Sequence, residues 1–276
     1  MTTHADEVAS GERFAFGANW AAFLGALDET WIADAEASLR AALGLQSLEG
    51  MRLLDIGSGS GVFSLAARRL GAHVHSFDYD PQSVACTRQL RARRDAEDNA
   101  WRVDEGSVLD ASYMASLGTF DIVYSWGVLH HTGSMWQALR HAAERVAPEG
   151  RLYIAIYNDQ GGASRMWLRT KRAYNALPGP LRWLVLGPAL LRLWGPTTIR
   201  DLLAGRPFTT WRTYRNRSRG MDPWRDVVDW VGGLPFEVAK PEEVFNFLKQ
   251  DGFCLEHLVT CAGGHGCNEY VFVRKA

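Results

Sequence analysis

The heptapeptide DIGSGSG (residues 55–61) decides the fold, because it joins a predicted buried strand to a predicted helix. The apolar run MRLLDI, from Met51, indicates the strand, and GVFSLAARRLG, from Gly61, indicates the helix. Glycines at alternate positions let the backbone of such a turn approach a ligand closely. In an open α/β sheet, ligands bind beyond the carboxyl ends of the strands, which is where this turn falls.

The alternation of strands and helices continues beyond the turn. Further strands are predicted in AHVHSFD (ending at Asp78), AWRVDEG (from Ala100), FDIVYSW (from Phe120) and RLYIAIYN (from Arg151), with helices from Pro81 and Ser134. Repeated βα units of this kind specify a parallel, doubly wound sheet. We therefore predict an α/β fold.

Four segments are expected along the chain. Residues 1–50 form an N-terminal helical arm, with helical spacing of Trp31, Ala35, Leu39 and Leu43, and residues 51–159 form the α/β core. Residues 160–240, rich in Trp, Tyr, Arg and Pro, break the alternation and are interpreted as an inserted helical cap. Residues 241–276 supply a helix and two strands that complete the sheet.

Composition is ordinary for a globular protein of 276 residues, with 47% hydrophobic and 22% charged residues. Four scattered cysteines and the lack of a signal-peptide pattern favour the reducing cytoplasm, and no disulfide framework is expected. No apolar run reaches the roughly 18 residues that a membrane span needs. We expect no transmembrane segment.

The net charge of -1 conceals a basic segment. Residues 161–220 contain twelve Lys or Arg and one acid, Asp201. One explanation is that arginine stems pack across the cap while their charged ends stay in water. The other is a surface that collects an anion.

The turn differs from a dinucleotide-binding fingerprint. That fingerprint is G-x-G-x-x-G, whereas this chain has G-x-G-x-G directly after a strand that ends in an acid, Asp55. A carboxylate in the turn disfavours a pyrophosphate and favours a ligand with a fixed positive charge and an amino group. S-adenosylmethionine (SAM) is such a ligand.

The motif D-x-G-x-G-x-G at the first strand, Asp78 closing the second strand and the sequence Leu129-His130-His131 after the fourth resemble class I SAM-dependent methyltransferases. The stretch PWRDVVDWVGGLPFEVAKPEEVF (residues 223–245) resembles one found in a bacterial small-molecule subgroup of these enzymes. The resemblance covers residues 51–157 and, in outline, 241–275. It implies a Rossmann-like, mostly parallel sheet of seven strands with the last strand antiparallel. It also implies SAM as cofactor and S-adenosylhomocysteine (SAH) as product.

By this resemblance, Gly57, Gly59 and Gly61 let the backbone approach the methionine and sugar parts of SAM, while Asp55 supports the amino group or the turn. Asp78 accepts hydrogen bonds from the ribose hydroxyls, unless it is only an acid at the entry of the next helix. Ser107 stands where many relatives have an aspartate for adenine. The implied set of cofactor-binding residues is completed by Trp20, with Asn19 beside it, and by Tyr79, Ser107, Val108 and Ser125. An aromatic face at Trp20 favours a sulfonium, but core packing explains this residue equally well.

Catalytic candidates follow the fourth and fifth strands. An imidazole can take the proton that an acceptor loses, so His131, with His130 beside it, is a candidate general base. Helix capping or closure of the site is the competing explanation. Tyr157, Asn158 and Asp159 either orient the acceptor and share its proton or form a plain turn into the cap.

Two further patterns point elsewhere. Cys261, His265 and Cys267 in CAGGHGC superficially resemble metal ligands, but their spacing matches no usual zinc pattern, so no metal is predicted. His265 reaches the substrate from that loop in an alternative interpretation. WRTYRNRSRG, from Trp211, combines arginine and aromatic residues as nucleic-acid surfaces do, and a small phosphorylated or carboxylated substrate suits it too.

The sequence therefore predicts a methyltransferase that acts on a small, anionic and partly apolar acceptor, with O-methylation expected before N- or C-methylation. Reaction is by in-line displacement. One alternative is an RNA methyltransferase that uses the arginine-rich cap. The other is a non-catalytic SAM-binding module that docks on an anionic membrane or a carrier protein.

Overall fold

The computed structural model describes residues 3–17, 20, 24, 25, 27–94, 99–214 and 222–275. Asn19 and residues 215–220 of the arginine-rich stretch lie outside these ranges. Among the described residues, the helices are α1 (His4–Ala9), α2 (Glu29–Leu43), α3 (Val62–Arg69), α4 (Pro81–Arg94), α5 (Ala111–Ser116), α6 (Met135–Glu144), α7 (Gly162–Ala176), α8 (Trp183–Leu203), α9 (Thr209–Arg212), α10 (Pro223–Gly232) and α11 (Pro241–Gln250).

The strands are β1 (Arg52–Ile56), β2 (His73–Asp78), β3 (Trp101–Glu105), β4 (Phe120–Trp126), β5 (Val146–Tyr157), β6 (Phe253–Val259) and β7 (Cys267–Arg274). They form one sheet of seven strands in the order β3-β2-β1-β4-β5-β7-β6. Strands β1 to β5 pair in parallel, and β7 runs antiparallel to both of its neighbours. The predicted fold, with its antiparallel last strand, is confirmed.

The sheet separates two apolar cores because successive side chains of a strand face opposite sides. Leu53 of β1 contributes to the core beneath α2, α3 and α4, whereas its neighbour Leu54 contributes to the core beneath α6 and α11. All four residues after Arg52 in β1 are buried. Burial on both faces explains why this strand is a continuous apolar run rather than an alternating one.

Helices α7 to α10, which we call the cap helices, lie between β5 and α11. Their shared core includes Trp167 and Tyr174 of α7, Leu186 of α8 and Val227 of α10. Tyr157, the last residue of β5, packs against this core, so the cap is joined to the sheet directly beside the end of that strand. No helix in the described ranges combines the length and the apolar character that crossing a bilayer requires.

Candidate active site

The glycine turn (residues 57–61) follows β1 and is held to the neighbouring strand by its backbone. The N–H groups of Gly57 and Ser58 donate to the carbonyl oxygen of Phe77 in β2, at 2.8 and 3.1 Å. Gly57 and Gly59 have φ angles of 78° and 54°, in the left-handed region that favours glycine. The turn is therefore a fixed backbone feature at the carboxyl edge of the sheet.

Neighbouring side chains leave no room for a Cβ atom at two glycines of the turn. A Cβ atom on Gly57 would lie 2.4 Å from Val128, and one on Gly59 would lie 3.0 Å from the ring of Trp20. Both glycines line a cavity of about 860 Å³ that runs from the turn to the cap helices. Gly61 does not line it, since this residue caps α3 and lies against Thr87 of α4.

Asp55 and Asp78 lie on either side of the glycine turn. Asp55 is buried and accepts a hydrogen bond from Ser64 Oγ, and burial raises its pKa to about 7. Asp78 accepts hydrogen bonds from the N–H groups of Gly59 and Asp80, both at 2.9 Å, and burial raises its pKa to about 6. Both residues line the cavity.

The remaining cofactor candidates divide into two groups. Trp20, Tyr79, Ser107 and Val108 all line the cavity. Tyr79 is oriented by the guanidinium group of Arg13, 4.9 Å from its ring centroid, and by a hydrogen bond from its hydroxyl to Glu7. Ser125 is fully buried, and its hydroxyl donates to the carbonyl oxygen of Ile56 at 3.1 Å. The structure therefore does not bring Ser125 to the cavity, and its prediction as a cofactor-binding residue loses support.

The two adjacent histidines have different surroundings. His131 lines the cavity, and its Nδ1 lies 2.7 Å from the carbonyl oxygen of Pro235. A carbonyl oxygen only accepts, so Nδ1 carries the hydrogen and Nε2 has the free lone pair. Burial, together with the positive charges of Lys171 and Arg13, lowers the pKa of His131 to about 3. His131 is therefore a neutral imidazole at physiological pH.

His130 lies outside the cavity. It is fully buried, its Nδ1 accepts from the backbone N–H of Tyr157 at 3.2 Å, and burial lowers its pKa. Tyr157 lines the cavity with its ring 3.8 Å from that of His130, and burial raises the pKa of its hydroxyl well above the usual value. Asp159 accepts from the N–H of Gly161 at 2.7 Å, in the turn before α7. Of the catalytic candidates, the structure brings together His131 and Tyr157.

The cap side of the cavity is acidic and aromatic. Asp226 and Asp229, on one face of α10, line it together with Trp194, Tyr214 and Trp230. Asp226 accepts a hydrogen bond of 2.5 Å from the hydroxyl of Tyr214, and burial raises its pKa. Sequence reasoning missed these two acids, although their three-residue spacing in PWRDVVDW puts both on the same side of a helix.

The arginines of the cap helices do not line the cavity. Over the described residues, its walls contain six aspartates and a single arginine, Arg13, from the N-terminal segment. Arg13 is already bonded, to the carboxylate of Glu7 and to the carbonyl oxygen of His131. Among residues 161–214, which the structure describes, no lysine or arginine lines this cavity.

His265 lines the cavity from the loop between β6 and β7, with its ring 5.5 Å from that of Trp230. Cys261, in the same loop, donates instead to the carbonyl oxygen of Gly264. Within the described ranges, no three His, Cys, Asp or Glu side chains are grouped as metal ligands would be. The position of His265 thus fits the interpretation that it reaches the substrate from this loop.

The fold and the turn define the class of protein. A family model described as a methyltransferase domain matches residues 30–213, more than half of the chain. The chain belongs to this family, and the prediction of a class I SAM-dependent methyltransferase is confirmed at that level. The role of each site residue stays a prediction.

Curated relatives are named as ubiquinone biosynthesis O-methyltransferases. One from Sinorhizobium medicae is 30% identical over 142 residues, which are 51% of this chain and 53% of that protein. One from Methylobacterium sp. is 34% identical over 116 residues, 42% of this chain and 45% of that protein. The chain thus spans about half the length of the curated relatives it matches.

Solved structures share the fold at low sequence identity. Magnesium protoporphyrin IX methyltransferase from Synechocystis PCC 6803, with bound SAH, superposes with a TM-score of 0.53 at 16% identity, over 88% of this chain and 82% of that one. The N-methyltransferase NodS from Bradyrhizobium japonicum, also with SAH, has a TM-score of 0.52 at 14% identity, over 95% of this chain and 100% of that one.

Proposed function

We propose that this chain binds SAM at the glycine turn and methylates a hydroxyl group of a small molecule held between the turn and the cap helices. The observation that carries the proposal is one continuous cavity, which joins Gly57, Gly59 and Asp78 at one end to His131, Tyr157 and the cap helices at the other. Its volume of about 860 Å³ is at the upper end of the range for ligand sites, as two ligands require.

The residues at the turn fit SAM chemically. The left-handed glycines leave room for a ligand against the backbone, and the carboxylate of Asp78 offers acceptor lone pairs for ribose hydroxyls. Asp78, and Asp55 when it is ionised, would supply carboxylates at this end of the cavity, which suits a ligand that carries a sulfonium and an ammonium group. When bound, SAM supplies a methyl group on a good leaving group, and this chain's own task is to align the acceptor and exclude water.

His131 is the proposed proton acceptor. Donation from Nδ1 to Pro235 fixes the lone pair on Nε2, and the ring lines the cavity. A base with a pKa of about 3 is too weak to deprotonate a free hydroxyl or an ammonium ion beforehand. It is strong enough to take the proton from a hydroxyl oxygen during bond formation to carbon, since that oxygen becomes far more acidic. This argument favours a hydroxyl over an amine as the methylated group, in line with the names of the curated relatives.

The cap side of the cavity suits an acceptor whose charge differs from the negative charge that the sequence predicted. Its aromatic rings, Trp194, Tyr214 and Trp230, suit a partly apolar acceptor. Its acids, Asp226 and Asp229, disfavour an anion and accept hydrogen bonds from hydroxyl groups. We therefore propose an uncharged acceptor with several O–H donors and an apolar part. The predicted anionic acceptor gains no support from the cavity walls.

The experiment is transfer of labelled methyl from SAM into an extract of the source cells, which is then separated into small-molecule, lipid, RNA and protein fractions. The expected outcome is label in the small-molecule or lipid fraction, in a compound that an anion-exchange column does not retain. Label in RNA would favour the alternative of an RNA methyltransferase. SAH binding without any transfer would favour a non-catalytic SAM-binding module.

A further inference from the structure

Helix α8 carries an exposed apolar stripe, formed by Leu184, Pro188, Leu191, Ile199 and Leu202. Their spacings of four, three, eight and three residues keep all five on one face of a helix with 3.6 residues per turn. The leucines and the isoleucine are between 47 and 72% exposed. Trp183, at 66%, and Phe208, at 50%, add exposed aromatic rings near the two ends of the helix. Exposed apolar residues that form a continuous stripe mark an interaction surface.

The opposite face of the same helix faces inward. Leu193, Trp194 and Thr197 line the cavity, and Leu186 and Ala189 are buried in the core of the cap. The inner face alone thus accounts for the packing of α8 on the protein. The outer stripe does not contribute to this packing, so its apolar residues need another explanation.

The stripe lies in a basic part of the chain. Arg192 and Arg206 are exposed on and just beyond α8, and Arg165, Arg169 and Arg172 are exposed along one face of α7. The single acid between residues 161 and 214 is Asp201, which is buried and accepts hydrogen bonds from Thr210. The described part of this region therefore presents no exposed carboxylate to offset its arginines.

We propose that the outer face of α8 docks on an anionic lipid bilayer, lying in the plane of the interface. An apolar stripe beside arginines, with aromatic residues at its ends, is the pattern of helices that insert into the headgroup region. Anionic lipids complement the arginines, and the acyl chains take up the leucines. The proposal does not depend on the methyltransferase activity proposed above.

Two other occupants fit less well. A second copy of this chain, related by a two-fold axis, would bring the same face against itself and so place like arginines opposite one another. RNA would satisfy the arginines, but the aliphatic residues of the stripe do not stack on bases as aromatic side chains do. Charge and apolar character together favour the bilayer.

The test is cosedimentation of the full chain with vesicles of phosphatidylcholine alone or of phosphatidylcholine with 30% phosphatidylglycerol. We expect binding to the anionic vesicles, little binding to the neutral ones, and weaker binding as salt is raised. The double variant Arg192→Gln/Arg206→Gln should weaken binding about 25-fold, from about fivefold for each basic residue. Leu191→Ser/Leu202→Ser should weaken it at least tenfold, since two apolar side chains leave the acyl region.

Matched controls keep the result specific. Leu258→Ser, which changes an exposed leucine on β6, and Arg140→Gln, an exposed arginine on α6, should bind vesicles as the unaltered chain does. Unchanged SAH affinity and melting temperature show that each variant is folded. Absence of binding to anionic vesicles overturns the proposal, as does equal binding to neutral ones. If the chain instead self-associates, or binds RNA but not vesicles, and the α8 variants abolish that binding, the face is assigned to a second copy of the chain or to RNA.

Discussion

Asp78, the last residue of β2, accepts a hydrogen bond of 2.9 Å from the backbone N–H of Gly59 in the turn that follows β1. One carboxylate thereby fixes the shape of the glycine turn while it faces the cavity. The proposed binding of ribose by Asp78 would depend on the same negative charge that holds the turn, so loss of this charge is expected to affect both.

Replacement of Asp78 by Asn should weaken SAH binding roughly 10- to 100-fold, since hydrogen bonds to a charged group contribute roughly 1.5–3 kcal/mol. Isothermal titration with SAH measures this. Asp104→Asn is the control. Asp104 lies on β3, where it pairs with Arg102 of the same strand and with His75 of β2, and it does not line the cavity, so its replacement should leave the affinity unchanged. Equal affinities of Asp78→Asn and the unaltered chain would remove Asp78 from the ribose site.

SAH affinity should also depend on pH through Asp78. Its pKa of about 6 in the free protein means that half of the carboxyl groups are protonated near that pH. Binding to ribose hydroxyls and to positive charge favours the ionised form, so affinity should rise as pH increases from 5 to 7. Titrations across this range should show a change of SAH affinity centred near pH 6 in the unaltered chain and not in Asp78→Asn. An identical pH profile of the two proteins would contradict the assignment.

Gly57→Ala should lower SAH affinity more than Gly118→Ala, which places alanine at a position with similar backbone strain but no neighbouring atoms. Gly57 and Gly118 both have left-handed backbone, with φ of 78° and 75°, and a Cβ in that region costs about 1–2 kcal/mol. Only at Gly57 would the Cβ also meet a side chain, Val128 at 2.4 Å, whereas Gly118 has nothing within 4 Å. Both variants should melt at lower temperature, and only Gly57→Ala should lose SAH affinity. Loss of affinity in Gly118→Ala as well would mean that general destabilisation explains both.

Lys171 is a buried cation whose removal should stabilise the cap. Its Nζ donates to the carbonyl oxygen of Trp230, and burial lowers its pKa to about 7. Between pH 7 and about 10 the unfolded chain therefore holds a proton that the folded chain lacks, and stability rises with pH. Lys171→Met should be most stabilising at pH 7 and below, with an advantage that shrinks toward pH 9.5. Melting temperatures at several pH values measure this, and Lys249→Met, which removes an exposed lysine of α11, controls for the loss of one lysine. A constant difference for Lys171→Met would contradict the lowered pKa.

Patterns along the chain predicted the sheet because its strands are short, apolar and separated by turns at glycine or before helices. They also placed Asp78, the glycines and His131 at one edge, since the carboxyl ends of parallel strands meet there. They did not separate His130 from His131, because a 3₁₀ turn sends adjacent side chains to different sides. Nor did they find α5 (Ala111–Ser116), which is short and begins behind an Asp110 cap.

The cap was beyond the reach of sequence patterns for a physical reason. A count of arginines gives the charge of a segment and not the face on which that charge lies. Only the packing of α8 and α10 shows that Asp226 and Trp230 line the cavity while Arg192, exposed on α8, does not. The same packing separates an acidic, aromatic cavity wall from a basic, apolar exposed surface within the cap helices.

His131→Ala should lower kcat by roughly 10²- to 10⁴-fold, the usual contribution of a general base, while SAH affinity and melting temperature stay within error. The pKa of about 3 predicts that His131 causes no acid limb near pH 6.5 in kcat at saturating SAM. If His131 only closed the site, SAH affinity or stability would fall together with turnover. Unchanged turnover in His131→Ala, or an acid limb near pH 6.5 that disappears in this variant, would contradict a base held neutral by burial beside Lys171 and Arg13.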